Sequence, residues 1–554
     1  MPLDIRPDHL KIVEEILEKH LPDREVWAFG SRVNGTAKET SDLDLVVIGE
    51  NSLDFQTLGA LRDDFSESNL PYKVDLVDWA KIGETFREII RKDKIRINNR
   101  NLTNTHGGRG HNGGAWNKGA AGGWVTRSLG ELIEIKHGFA FKGEYFRNDP
   151  PGDILLTPGN FAIGGGFKTD KFKYYKGPVP EDFILQSNDM VVTMTDLSKE
   201  ADTLGYPAIV PLNNKSNHYL HNQRLGKIIV RDRESIDSGF LYYVMCSKKY
   251  RHEIIASATG TTVKHTSPER IKLFRFSLPP LPEQRAIAHI LGTLDDKIDL
   301  NRRMNETLEA MAQALFKSWF VDFNPVRAKM EGRPTGLPKE IEDLFPDSFE
   351  DSELGEIPKG WKVSTIGECF RLTMGQSPPG ETYNDNEEGL PFFQGSTDFD
   401  FRYPVNRKFC SAPTRVAISE DTLVSVRAPV GDINMAWEKC CIGRGVASIR
   451  HKSGKTSYTY YVAWNLQAKL QEYEHTGTVF GAINKKQLEI MKIIEPSEIL
   501  IGRFESIVRP LDCRIRFNTY EIRTLAALRD TLLPNLLSGD IRVKEVERFL
   551  KREL

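Results

Sequence analysis

Ala258-Thr259-Gly260-Thr261, followed by Pro279-Pro280 and a long helical pattern, returns as His475-Thr476-Gly477-Thr478, Pro496-Ser497 and a second such pattern. The two stretches lie about 217 residues apart and align without a gap over roughly 60 positions. Upstream, Gly123-Trp124 with Leu129-Gly130-Glu131 returns as Gly360-Trp361 with Ile366-Gly367-Glu368, about 237 residues on. The first copy therefore carries roughly 20 extra residues between its two anchors. A period this long is not that of a solenoid. It marks one domain present twice, each copy ending in a long helix, and so a molecule with an approximate two-fold axis that engages its ligand twice.

Working outward, the helical patterns carry apolar residues in alternating steps of four and three. The first reads Ile287, Leu291, Leu294, Ile298, Asn301, Asn305, Leu308, Ala312, Leu315 and Trp319. The second reads Phe504, Val508, Leu511, Ile515, Asn518, Ile522, Leu525, Arg529, Leu532 and Leu536. Nearly five heptads in each predict a coiled-coil seam, with helices roughly 50–55 Å long. Asn301 and Asn518 are equivalent in the two copies. In an antiparallel pair such residues meet only at the centre, which predicts a buried Asn301–Asn518 contact fixing register. The alternative is two helices on separate cores with each Asn exposed. Two domains held at a fixed span and in opposed orientation suit a duplex DNA carrying a split target; an adaptor joining two proteins would need the same ruler.

With 75 Lys+Arg against 77 Asp+Glu in 554 residues, no global basic field argues for nucleic acid. Residues 1–97 carry about six net negative charges and the remainder about four net positive. The six cysteines are scattered without a CxxC pair, which reads as reduced thiols rather than a disulfide frame or zinc site. No signal-peptide pattern and no apolar run of membrane-spanning length stands out, so the expected location is cytoplasmic, with no membrane partner.

The front of the chain, 1–97, predicts a compact α/β unit. Leu10, Val13, Leu17 and Leu21 give a helical stripe; Val26–Phe29, Leu43–Ile48 and Lys73–Val77 read as strands; Phe55 to Phe65 and Thr85 to Arg91 read as helices. Residues 98–123, rich in Gly and Asn, read as a linker. Within the front unit, Gly30-Ser31-Arg32, Asp42-Leu43-Asp44 and Asp75 form a separate constellation. Two acids at i and i+2 on a strand share a face, and Asp75 on a neighbouring strand can complete a three-carboxylate cluster. Such a cluster suits magnesium bridging to nucleotide phosphates. Gly30 and Ser31 can approach a triphosphate, while Arg32 can either offset phosphate charge or pair with an acid. This arrangement resembles the small nucleotidyltransferases of the DNA polymerase β superfamily. The resemblance implies metal binding by Asp42 and Asp44, with Asp75 as general base or third ligand, and magnesium and an NTP as cofactors. A decayed or purely structural domain is the alternative.

The rest of the chain resembles the specificity (S) subunit of type I restriction–modification enzymes. The resemblance rests on Leu278-Pro279-Pro280-Leu281-Pro282-Glu283-Gln284-Arg285, on Leu315-Phe316-Lys317-Ser318-Trp319-Phe320, on the connector from Phe345-Pro346-Asp347 to Gly360-Trp361, and on the closing Leu536-Leu537-Ser538-Gly539-Asp540-Ile541. It implies an α/β multidomain architecture. After the mixed-sheet domain at 1–97 and the linker come α/β target-recognition domains at 124–280 and 360–497, spaced by an intramolecular antiparallel coiled coil. The spacer helices lie at 281–320 and 498–554 (the latter with a C-terminal tail), and a connector lies at 321–359. The implied partners are double-stranded DNA, methyltransferase (M) subunits and a nuclease–translocase (R) subunit. The implied S part is non-catalytic and takes no cofactor.

Two motifs fall short of catalysis. Asp149-Pro150-Pro151-Gly152 and Ser377-Pro378-Pro379-Gly380 end in Gly where an amino-methyltransferase has an aromatic ring to clamp a flipped base. Ser453-Gly454-Lys455-Thr456 resembles the end of a P-loop, yet Ile449 stands where its first Gly belongs. Candidate DNA contacts are Lys168, Lys171, Lys173 and Lys176, interleaved with Phe172, Tyr174 and Tyr175, and Arg402, Arg407, Lys408 and Arg427 in the second copy. Each can equally be a solvated surface charge. Thr259-Gly260-Thr261 and Thr476-Gly477-Thr478 recur in both copies, which favours a shared turn or backbone contact over reading of different half-sites.

Overall fold

The computed structural model describes residues 3–22, 24–34, 42–49, 57, 60–61, 64–65, 68, 70–72, 74–79, 90–91, 94–97, 123–169, 171–198, 200–212, 217–260, 263–475 and 481–543. Two units result, residues 1–117 and 118–554.

In the first unit, α1 (Pro7–His20) buries Val13 and Leu17 on one face. β1 (Glu25–Phe29) leads into the one-turn α2 (Ser31–Asn34); β2 (Leu43–Ile48), β3 (Val74–Asp78) and β4 (Ile95–Arg96) complete a sheet of order β3-β2-β1-β4. β2 pairs antiparallel with β1 and parallel with β3, so the sheet is mixed. β4 pairs with Trp27 and Ala28, an edge the hydropathy pattern does not mark. The expected helix over Phe55–Phe65 is described only in part, and the one over Thr85–Arg91 lies almost wholly outside the described residues, as does the linker.

The second unit holds the same architecture twice. In the first copy a four-stranded sheet runs Ile133–His137, Leu225–Val230, Met190–Thr193, Pro207–Ile209 in spatial order; in the second it runs Phe370–Met374, Val446–His451, Thr422–Ser425, Ile433–Met435. Each copy adds a five-stranded sheet of matching order, and a two-strand ribbon joining its first strand to its last: Val125–Ser128 with Arg275–Leu278, and Lys362–Thr365 with Lys492–Glu495. Even the turn after the first ribbon strand repeats. Ser128 and Glu131 form a capping box in one copy, Thr365 and Glu368 in the other, each pair satisfying two backbone donors at a helix start.

Two long helices, Leu281–Phe320 (40 residues) and Glu498–Ser538 (41 residues), follow the two copies. At about 1.5 Å per residue each is about 60 Å long. They run antiparallel: Glu283 meets Arg542, Asp295 meets Arg529, and Asn305 meets Asn518. The expected Asn301–Asn518 contact is not made. Asn301 donates to Glu521 at 2.8 Å instead, and Asn518 to Asn305 at 2.9 Å. The pseudo-two-fold axis therefore crosses the pair between Asn301 and Asn305. The strict heptad step also slips near the middle. Glu309 and Asp512 are buried where the four-three pattern has Leu308 and Leu511, which are only half-buried. The reason is tertiary, since both acids face Arg402 of the second copy.

The chain closes on itself at the far end. Trp124 donates Nε1 to Glu283 at 2.9 Å, Arg542 lies over the Trp124 ring at 5.7 Å, and Gly539 ends the second helix with a left-handed φ of +80° against the same indole. Trp361, the equivalent residue, packs on Phe320 at the end of the first long helix and on Phe323 just beyond it. Each copy thus seats its entry tryptophan on the end of a long helix.

Candidate nucleotide site and nucleic-acid interface

In the first unit the register places Asp44 opposite Phe29 on β1 and opposite Asp75 on β3. Asp42 is exposed, one residue ahead of β2, and Asp44 is half-buried. Gly30 follows β1 with a left-handed φ of +78°, and a Cβ placed there would come within 2.3 Å of Asp44 Oδ2. Only glycine tolerates both the φ and the approach. The turn after β1 thus leaves its backbone directly above a carboxylate, the geometry needed where phosphates and a cation share one site. The side chains of Ser31 and Asp75 lie outside the described residues.

Arg32 lies in α2, directly after this turn. It is 5% exposed, donates Nη1 to the Asp4 carbonyl at 2.9 Å and lies 3.7 Å from the Tyr72 ring centroid. Its guanidinium is thus buried against a ring and a carbonyl, where it braces the domain. Oxygen donors at Asp42 and Asp44 beside a glycine-only backbone fit magnesium and a nucleotide.

In the first copy of the repeated domain Lys168, Lys171, Lys173 and Lys176 are all exposed, and none forms an ion pair among the described residues. The interleaved rings point inward. Phe172 and Tyr174 pack on the core around Tyr219, and Tyr175 is buried against Phe141 and Phe146. The alternation is that of a half-buried strand edge rather than a base-stacking platform.

The second-domain candidates separate. Arg402 is buried at 2% exposure. Its Nη2 donates to Asp512 at 2.6 Å, its Nη1 to the Tyr461 hydroxyl at 3.2 Å, Glu309 lies 3.7 Å away, and the Tyr460 ring 3.4 Å. It cannot reach DNA and instead ties the domain to both long helices. Burial pushes the Glu309 carboxyl above its ordinary range, against the attraction of Arg402. Asp295, the equivalent of Asp512, likewise accepts from a domain tyrosine, Tyr243, at 2.7 Å and from Arg529 at 2.6 Å. Arg407 and Lys408 are paired with Asp398 and Asp385 on the surface. Arg427 is exposed at the end of the strand Thr422–Ser425.

Gly260 has a φ of +95°, and a Cβ there would meet the Val263 carbonyl at 2.0 Å. Thr259 pairs with His265 across that turn. The recurrence of Thr-Gly-Thr is thus explained by backbone geometry in the first copy; Thr476-Gly477-Thr478 lies outside the described residues. Ser453–Thr456 leads into the helix Thr456–Gln471, but the Glu505 carboxylate accepts from the backbone N–H groups of Ser457 and Tyr458. A carboxylate already occupies the place a phosphate would take. Among the described residues no helix is long and apolar enough to cross a membrane.

A family model for the type I restriction modification DNA specificity domain matches residues 121–310 and 358–498, and one for the nucleotidyltransferase domain matches residues 10–98. The chain is 33% identical over 433 residues to a Methanocaldococcus jannaschii protein assigned as the specificity subunit of the type I restriction enzyme MjaX. That alignment covers 76% of this chain and 94% of the relative. The front domain is 54% identical over 101 residues to a Haemophilus influenzae protein assigned as the protein adenylyltransferase MntA, covering 18% of this chain and 89% of the relative. Among solved structures, the type I restriction–modification S subunit of M. genitalium aligns over 76% of this chain and 98% of its own, at 18% identity and a TM-score of 0.49. With its duplicated domain, its two long helices and its front αβ unit, the chain belongs to the family of type I restriction–modification specificity subunits and carries an N-terminal nucleotidyltransferase domain.

Proposed function

We propose that residues 124–554 read a two-part double-stranded DNA site for a type I restriction–modification complex, one half-site per recognition domain. The observation that carries this reading is the repeated sheet topology held by antiparallel helices, with a pseudo-two-fold axis between Asn301 and Asn305. Two-fold proteins place equivalent reading elements on the two halves of a duplex site at a spacing that the protein sets. The helix pair acts as that spacer, a coiled-coil ruler, and its outward surface docks the methyltransferase subunits, with the nuclease–translocase subunit joining for restriction. This part makes and breaks no bonds. Selection from random duplexes by the purified complex with its methyltransferase subunit tests the reading. A two-part motif with a fixed gap supports it, and sequence-blind binding rejects it.

A second activity is favoured by the approach of Gly30 to Asp44. The front domain transfers a nucleoside monophosphate from an NTP to a hydroxyl of a partner protein, with Asp42, Asp44 and Asp75 as the acidic set. Its likeness to a protein assigned as an adenylyltransferase supports ATP as donor. Magnesium, when bound, would neutralise phosphate charge at these acids. The acceptor hydroxyl gives up its proton to a carboxylate of this set, Asp75 in the base role. Its oxygen forms the new bond to the α-phosphorus, and the bond to pyrophosphate breaks as pyrophosphate leaves. Label transfer from ATP that disappears in Asp44→Ala tests it; label that persists in the variant rejects it.

A further inference from the structure

The two copies of the repeated domain share one exposed turn in a matched backbone cage, and they differ at its tip. In the first domain the Phe139 N–H donates to the His221 carbonyl at 2.8 Å, Leu225 to Asn222 at 2.9 Å, and Met194 to Arg224 at 2.9 Å. In the second, Gln376 donates to Ile442 at 3.0 Å, Val446 to Gly443 at 3.0 Å, and Val426 to Gly445 at 2.9 Å. Gly138 and Gly375 are equivalent and lie beneath the turns. A Cβ on either would strike a turn carbonyl, Asn222 at 2.0 Å or Gly443 at 2.2 Å. Three matched hydrogen bonds and a matched glycine make Asn222-Gln223-Arg224-Leu225 the counterpart of Gly443-Arg444-Gly445-Val446. Gln223 and Arg444 then occupy the same tip.

The neighbouring strand ends correspond too. Thr195 pairs with His265, and in the second domain Arg427 bridges to Ala482 at the same place. Gln223, Arg224, Arg427 and Arg444 are exposed, and among the described residues their side chains make no ion pair or hydrogen bond with the protein. A scaffold shared by two domains that read different half-sites must carry the difference in residues that are equivalent in place, unlike in chemistry and unpaired. The tip pair meets all three conditions on a rigidly anchored turn.

Resting on the DNA-reading function above, we infer that this turn is the base-reading element of both domains. Gln223 recognises an adenine in one half-site and Arg444, with Arg427 beside it, recognises guanine in the other. The chemistry follows from geometry. A carboxamide matches adenine N6 and N7 with one acceptor and one donor, and a guanidinium fork matches guanine O6 and N7 with two donors.

The experiment is duplex selection followed by binding at several salt concentrations, on the full chain with its methyltransferase subunit. It compares wild type with Arg444→Gln, Arg444→Lys and Gln223→Arg. Support is a changed base preference at one position of one half-site for Arg444→Gln, and at one position of the other half-site for Gln223→Arg. The gap is unchanged, and the original site is bound roughly 10- to 100-fold more weakly. Arg444→Lys keeps the charge without the fork, so it blunts the guanine preference while the salt dependence stays as in wild type. Uniform weakening on all duplexes with a shallower salt dependence would mean a phosphate contact and overturns the inference. So does a two-part motif that no variant alters, which leaves the specificity-subunit reading standing. A wild-type complex that selects no motif overturns that reading and the inference with it.

Discussion

Asn518 donates its Nδ2 hydrogen to Asn305 Oδ1 at 2.9 Å, and both side chains are buried at the middle of the antiparallel helix pair. Truncating one partner strands buried polar atoms of the other. Asn305→Ala is expected to cost about 1–3 kcal/mol, read as a lowered midpoint in denaturant unfolding of the full chain. Asn305→Leu with Asn518→Leu removes both polar groups together and is expected to recover most of that loss. Register is then no longer pinned by the pair, which spin labels on the two long helices would report as a broadened distance distribution.

Arg402 joins the second copy of the repeated domain to acids on both long helices, through Asp512 and Glu309. Arg402→Met leaves two buried carboxylates without their cation and is expected to cost about 3–5 kcal/mol. The pH dependence has a definite sign. Burial raises the Glu309 pKa above its ordinary 4.5, so the stability it contributes is fully present below about 4.5 and is lost as pH rises through its folded value. Losing Arg402 raises that value further. The deficit of Arg402→Met is therefore smaller near pH 5 than near pH 8, measured by urea unfolding at both.

His221, directly before the reading turn of the first domain, is buried and its ring contacts the Leu225 carbonyl at 3.0 Å. Burial lowers its pKa from 6.5 to about 4. A base with a depressed folded pKa contributes stability that is present above the unfolded value and lost as pH falls below it. Acidification from pH 6.5 to 4 should therefore remove up to about 3 kcal/mol from this domain. The turn of the second domain has Ile442 at the equivalent place and lacks this titration, although burial also lowers the pKa of His451 elsewhere in that domain. Hydrogen exchange of the amides of these two turns at pH 7 and pH 4.5 would show the asymmetry, and His221→Gln would abolish it.

Gly30→Ala introduces a Cβ onto the Asp44 carboxylate at a left-handed φ. Nucleotide transfer is expected to fall at least as far as in Asp44→Asn, because the turn and the acid are displaced together. The helices 60 Å long in the other unit should melt as in wild type, a control read by far-ultraviolet circular dichroism at high temperature.

Much of the molecule could be read along the chain. The Thr-Gly-Thr and Gly-Trp anchors mark the duplication, and the spacing of apolar residues marks two long helices, because repeats and periodicity are linear properties of a sequence. Gly30, Asp42 and Asp44 stand out for the same reason, being close in sequence at the end of one strand and the start of the next. The reading turns did not stand out. The offset between Gln223 and Arg444 differs from that of either anchor pair, and their equivalence emerges only from hydrogen bonds to other strands. The aromatic residues among the first-domain lysines were equally ambiguous, since alternation alone does not say which face is wet.

The sequence by itself determined that there are two copies of one domain, that each ends in a long helix and that a nucleotidyltransferase-like unit precedes them. Tertiary structure alone decided which asparagines meet, why Glu309 and Asp512 displace leucines from the buried seam, and that Arg402 is a brace and not a DNA contact. The physical reason is that helix register is a small balance among competing apolar pairings. A buried cation supplied by a distant segment outweighs a one-step shift of leucines, because an unpaired buried carboxylate costs more than a partly exposed methyl group.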